Sequence, residues 1–145
     1  MVVKLIKDKN GAVFVELILK LLIVSLIVLT AIHIFDVAIK YQHVSFASKE
    51  IARIIELEGA LTPAAWQHLE DLNDSFNMDM TFTVSDVTFF NPASRTIQFR
   101  DPFTVTVNFV YRFPIFDPMF TTGPVMVNIP MRSGITGMSE VYWKP

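Results

Sequence analysis

Residues 12–35 read AVFVELILKLLIVSLIVLTAIHIF, and only Glu16, Lys20 and His33 carry strongly polar side chains there. About 20 consecutive apolar residues wound into a helix cross the ~30 Å hydrocarbon core of a bilayer. This stretch is therefore long enough to span one, even with some tilt. It is too long for the apolar segment of a secretory signal, and no Ala-x-Ala-like cleavage site follows Ile32.

Downstream the pattern changes without a break. Val37, Tyr41, Val44, Ser48, Ile51 and Ile55 recur at steps of four and three, while Lys40, Gln42, Lys49, Glu50, Arg53 and Glu56 fill much of the rest. That is one apolar stripe at helical spacing. Gly59 is placed to end the helix as a left-handed cap, with Pro63 shortly after. One helix from Ala12 to Glu58 would be ~70 Å long at 1.5 Å per residue. A helix that is apolar all round and then one-sided has left lipid and needs a protein partner for its stripe. That partner is either the chain's own C-terminal domain or a neighbouring subunit.

Upstream lies MVVKLIKDKNG, where Lys4, Lys7 and Lys9 outweigh Asp8. Basic residues beside a span stay in the cytoplasm. The far flank, residues 36–58, holds three Lys/Arg against four acids. The expected orientation is N-terminus inside, everything after the span outside.

Beyond the helix, Thr62-Pro63 reads as a helix start, with a short helix to about Leu72. The period then becomes two. Met80, Phe82 and Val84 alternate with polar residues, as do Val105, Val107, Phe109 and Tyr111, and again Val125, Val127 and Ile129; residues 139–143 are a further candidate strand. Turn signals stand at Asn91-Pro92, Asp101-Pro102, Asp117-Pro118 and Thr122-Gly123-Pro124. The expected fold class is α+β. A long transmembrane-to-amphipathic helix is followed by a short helix and a small, mainly antiparallel sheet. The divisions are a basic leader over 1–11, a membrane segment over 12–35, an amphipathic extension over 36–59 and a β-rich domain over 60–145. With no cysteine to cross-link it, that domain must rest on its own core, for which ten phenylalanines from Phe76 to Phe120 are the expected material.

Several chemistries find no support. The net charge is −2, and from Thr62 onward there are eight acids and five bases with no basic cluster, so nucleic acid is not an expected partner. Asp71-x-Asn73-x-Ser75 superficially matches a calcium loop, but Phe76 and Phe82 stand where Gly and Glu are needed. His68 and Glu70 lack metal spacing, and no catalytic Ser/His/Asp group or phosphate-cradling glycine loop is present. Neither an enzyme nor a cofactor nor a small-molecule substrate is expected.

The stretch KDKNGAVFVEL, residues 7–17, resembles the processing site of type IV pilins, and most closely that of TadE-like pseudopilins of tight-adherence (Tad/Flp) pilus systems. A basic leader ends at Gly11, the apolar helix begins at Ala12, and Glu16 is its fifth residue; the Val-Thr-Val-x-Phe-x-Tyr run from Val105 also looks like the β region of that family. The resemblance implies a pilin-like fold and a bacterial cytoplasmic-membrane precursor. It implies cleavage after Gly11 by a prepilin peptidase, then assembly with other pilin or pseudopilin subunits through the long helix. In such relatives the glutamate meets the N-terminal amine of an adjacent subunit. Lys20 departs from the uninterrupted apolar run of pilins. It stands four residues after Glu16, the favourable order for an ion pair within one helix. The competing readings are an uncleaved single-pass protein with an extracytoplasmic β-rich binding module, and an extracytoplasmic enzyme.

Overall fold

The computed structural model describes residues 9–116 and 125–144, with side chains from Val13 to Phe113 and from Met126 to Lys144. A single helix, α1, covers Lys9–Glu58. No proline or glycine interrupts it after Gly11. Its early turns are rich in Val and Ile, weak helix formers in water. In hydrocarbon every backbone group must bond internally, and a helix satisfies that locally.

The chain divides into two compact units, residues 1–38 and 39–145. In the first, the helix carries its apolar side chains from Val13 to Phe35 exposed. In the second, the same helix supplies a core. Val44, Ala47, Ser48, Ile51, Ala52 and Ile55 are buried there. Four of the six stripe positions are thus covered by the chain's own domain. Val37 is half-buried, and Tyr41 is exposed. Ala47 and Ala52 complete the buried face.

Gly59 ends α1 at φ +60°, its N–H bonded to the Ile55 carbonyl at 2.9 Å. A Cβ at this position would stand 2.5 Å from that of Val141. The position thus demands glycine both for its backbone and for its space. Helix α2, Pro63–Phe76, starts with proline at its first turn, but the Thr62 hydroxyl bonds the Glu58 carboxylate instead of capping it. Its buried face is Ala65, Leu69 and Leu72, and Asn77 closes it in the left-handed region at φ 51°.

The strands are β1 (Thr81–Ser85), β2 (Phe89–Asn91), β3 (Thr96–Ile97), β4 (Pro102–Phe116) and β5 (Val125–Met138). They form a three-stranded antiparallel sheet in the order β1-β4-β5 and a separate antiparallel pair, β2-β3. The expected α+β layout stands, with differences in detail. Strand β5 runs through Pro130, Gly134 and Gly137 to Met138. Proline is tolerated because β5 is an edge strand. At Gly137 an added Cβ would lie 2.8 Å from the Phe103 ring and 2.7 Å from Glu56 Oε1, so a helix and a ring approach the backbone there. Residues 139–144 are not a strand. Ser139 N–H donates to Asp101 O, Arg100 N–H to Ser139 O, and Gln98 holds Trp143 by two hydrogen bonds of 2.8 and 2.9 Å. The turn expected at Asp101-Pro102 comes just before it, closed by Asp101 N–H to Gln98 O, and Pro102 opens β4. The two later turn signals lie outside the described residues.

The core is aliphatic more than aromatic. Phe103 is the one phenylalanine fully buried among the described side chains, beside Ile97, Val105 and Val107; Phe90 and Phe99 are exposed. Phe76, Phe82, Phe89, Phe109 and Phe113 are half-buried, and Phe116 and Phe120 lie outside the described side chains. Narrow β-branched residues fit between one helix face and a three-stranded sheet, where few rings are fully enclosed.

Candidate functional site

The most distinctive surface is the first part of α1. From Val13 to Phe35 every described side chain is exposed except His33, which is half-buried. α1 is also the helix long and apolar enough to cross a membrane, and its most apolar window is not buried within the chain. Monomeric soluble proteins rarely expose a contiguous apolar patch beyond a few hundred Å². A surface apolar on all sides of a helix is matched to lipid or to the helices of other subunits.

Within this surface Lys20 Nζ lies 2.7 Å from Glu16 Oε1, both side chains exposed, at the i,i+4 spacing expected. The pair neutralises itself inside one chain. Gly11 and Ala12, the expected processing positions, fall in the first turn of α1; residues 1–8 lie outside the described residues. His33 and Asp36, near the end of the apolar run, are half-buried.

In the second unit the polar groups are structural. Arg53 Nη1 bonds Glu140 at 2.7 Å and Glu56 at 3.2 Å. The hydrogen bond that the guanidinium donates to Glu140, then that to Glu56, raises it further above its ordinary value. A raised pKa stabilises the fold below the unfolded value and is lost only as pH passes the folded one. Both lie above the neutral range, so Arg53 brings no pH dependence near neutrality. Asn73, within the calcium-like run, clamps the chain before β1: its amide donates to Met80 O at 3.0 Å and accepts from Met80 N–H at 2.8 Å. Ser75 bonds back to Asp71 O. His68 approaches Glu50, not Glu70, at 3.8 Å, beyond hydrogen-bond reach. Among the described residues no three His, Cys, Asp or Glu side chains are grouped to hold a metal.

The side-chain bonds of Ser133, Ser139, Glu140 and Trp143 escaped the sequence reading. Ser48 Oγ, fully buried, donates to Ser45 O at 2.9 Å; its single proton being used, it accepts from Ser133 Oγ at 3.1 Å. Ser139 Oγ donates to Ile97 O, and Trp143 Nε1 donates to the Gly59 carbonyl. No periodicity signals the bonds of Ser133, Ser139 and Trp143, because each joins residues far apart in the chain.

A family model described as a domain of unknown function, DUF4320, matches residues 21–144. The chain belongs to the DUF4320 family. No curated protein and no solved structure matches it. The DUF4320 match takes in most of the apolar helix and the whole β-rich unit. It begins after Glu16 and Lys20, so the stretch that resembles a pilin processing site stands outside it.

Proposed function

We propose that this DUF4320 chain is a minor pilin or pseudopilin, TadE-like, made as a membrane precursor with its N-terminus inside and its β-rich unit outside. A prepilin peptidase cuts it after Gly11, and the apolar part of α1 then packs among the helices of other subunits in a Tad-type surface filament or secretion apparatus. The observation that carries this reading is the exposure of that apolar surface on every side. A lipid span needs it, and so does a helix that exchanges lipid for neighbouring helices. The leader of residues 1–11, with glycine at its end and glutamate five residues on, supplies the rest. N-terminal sequencing of protein extracted from membranes tests it. A chain beginning at Ala12 supports processing, and one beginning at Met1 defeats it.

A second reading draws on two observations. Glu16 already has a partner in Lys20, and α1 runs through Gly11, so that bond would have to leave the helix to enter a protease. Both favour an uncleaved single-pass protein whose β-rich unit is a binding module. The same sequencing separates the two, and filament association is expected only of the first.

A further inference from the structure

We infer that the edge of β4 over residues 109–112 is a docking site for an extended acidic peptide segment of a partner, which adds there as a short strand. The inference holds for either reading of α1, because every residue it uses lies in the second unit. β1 pairs with β4 from Ser85 opposite Thr104 to Thr81 opposite Asn108, and no further. β4 itself runs on to Phe116. Past Asn108 no described strand lies beside β4 on the side that β1 has left. An uncovered strand edge is a row of backbone donors and acceptors that templates another strand. The chain ahead of β1 does not fill that place, because the end of α2 holds it. Met78 N–H donates to Asn73 O at 3.0 Å, and the Asn73 side chain bonds both the N–H and the C=O of Met80. Those backbone groups are committed to α2 and not to β4, so the gap beside β4 is built into the fold.

A groove of about 600 Å³ occupies this gap, and residues 108–112 all line it. Successive side chains of a strand point to opposite faces. A cavity that meets five in a row therefore lies along the strand's edge and not on one face. Val107 stands opposite Ser133, which bonds Ser48, so the odd-numbered residues of β4 share the face toward α1; Lys40 of α1 lines the groove there. Arg112 and Asn128, partners in register, line it from the other face. Asp79 is the acid of the lining, against these two cations, so the groove has a positive balance in a chain of net charge −2. A strand laid in it presents alternate side chains to the two faces, and a carboxylate on either face meets a cation. Exposed Arg112 can fork onto a carboxylate with two parallel bonds, and Val110, 52% exposed, offers apolar contact to a β-branched neighbour. In this mode of recognition the backbone edge gives affinity and the side chains select. The open edge favours a peptide over other polyanions, since a polysaccharide has no alternating N–H and C=O groups to match it.

The test pans full-length protein in detergent micelles against a random decapeptide library displayed on phage. The expected peptides alternate β-branched residues with Asp or Glu. Bound to the protein, a recovered peptide made synthetically slows amide hydrogen exchange at residues 109–112. Methylating its alternate backbone nitrogens abolishes binding in one of the two possible sets and spares it in the other, because a strand pairs through one edge at a time. Panning the Arg112→Glu protein shifts the recovered peptides from acidic toward basic, while its denaturant unfolding stays where it was. Failure to recover any peptide overturns the inference. So do peptides without an acidic bias, a bias that Arg112→Glu does not move, and exchange protection confined to other residues. Oligogalacturonate that slows exchange at residues 109–112 where no peptide does assigns the groove to a polysaccharide and also overturns it. None of these outcomes bears on where the chain begins, so the processing proposal stands or falls separately.

Discussion

The two stretches of α1 invert the usual relation between hydrophobicity and burial. Residues 13–35 are nearly all apolar and lie exposed; residues 44–55 mix Lys, Glu and Arg with a few aliphatic side chains, of which Val44, Ala47, Ile51 and Ile55 are buried to completion. One continuous helix thus presents two kinds of surface. Where its surroundings are lipid, a uniform apolar surface is the stable one, since burial against protein gains nothing over burial against acyl chains. Where its surroundings are water, only the stripe facing the sheet gains by being covered. The lesson is that apolar content locates a helix in a medium, while periodicity of that content locates its protein partner.

The comparison breaks most sharply in the core. Phe103→Ala removes a fully buried ring and is expected to cost about 3–5 kcal/mol. The readout is denaturant unfolding of the detergent-solubilised full chain, followed through Trp66 and Trp143. Leu22→Ala, on the exposed stretch, is expected to leave that transition in place; equal shifts would erase the distinction between the two stretches. Gly59→Ala stands at the end of the covered stretch. It combines a left-handed backbone with a 2.5 Å approach to Val141, and a loss of about 2–4 kcal/mol in the same assay is expected. Lys20→Leu sharpens the lipid side. Removing a cation from the span is expected to favour insertion, by less than the ~3 kcal/mol that lysine costs at a span's centre. A translocon insertion assay reads this, and loss of membrane-integrated protein would contradict the placement of the span. Ser48→Ala is the mildest, about 1 kcal/mol, since it strips Ser133 of its partner and leaves a small gap under the helix.

Much of the architecture was legible because two periods, 3.6 and 2, stand out in this sequence. The buried stripe of Val44, Ile51 and Ile55 follows from its spacing, and the cap at Gly59 from glycine's freedom at positive φ. The Glu16–Lys20 pair follows from four-residue spacing on a helix that both residues were expected to occupy. Counting phenylalanines misled, because a type of residue does not say whether a cavity of its size exists; Phe103 found one and Phe90 and Phe99 did not. The run from Pro130 to Met138 was illegible for a related reason. Proline and glycine weaken a strand in isolation, and only its position at the sheet edge, close against Phe103 and Glu56, turns them into fitting choices.

By itself the amino-acid sequence determined the local facts. These are a helix long and apolar enough to cross a membrane, its one-sided continuation, its glycine stop, and alternating strands after it. Each depends on neighbours within a few residues, where the geometry of helix and strand is already known. Only the tertiary structure decided that the amphipathic stretch is covered by the chain's own sheet, and which strands pair. It also decided that Ser48 meets Ser133, and that the last residues fold back on Gln98 and Gly59 instead of adding a strand. Those outcomes turn on shape and on hydrogen-bond partners brought together from opposite ends of the chain, which no local pattern encodes.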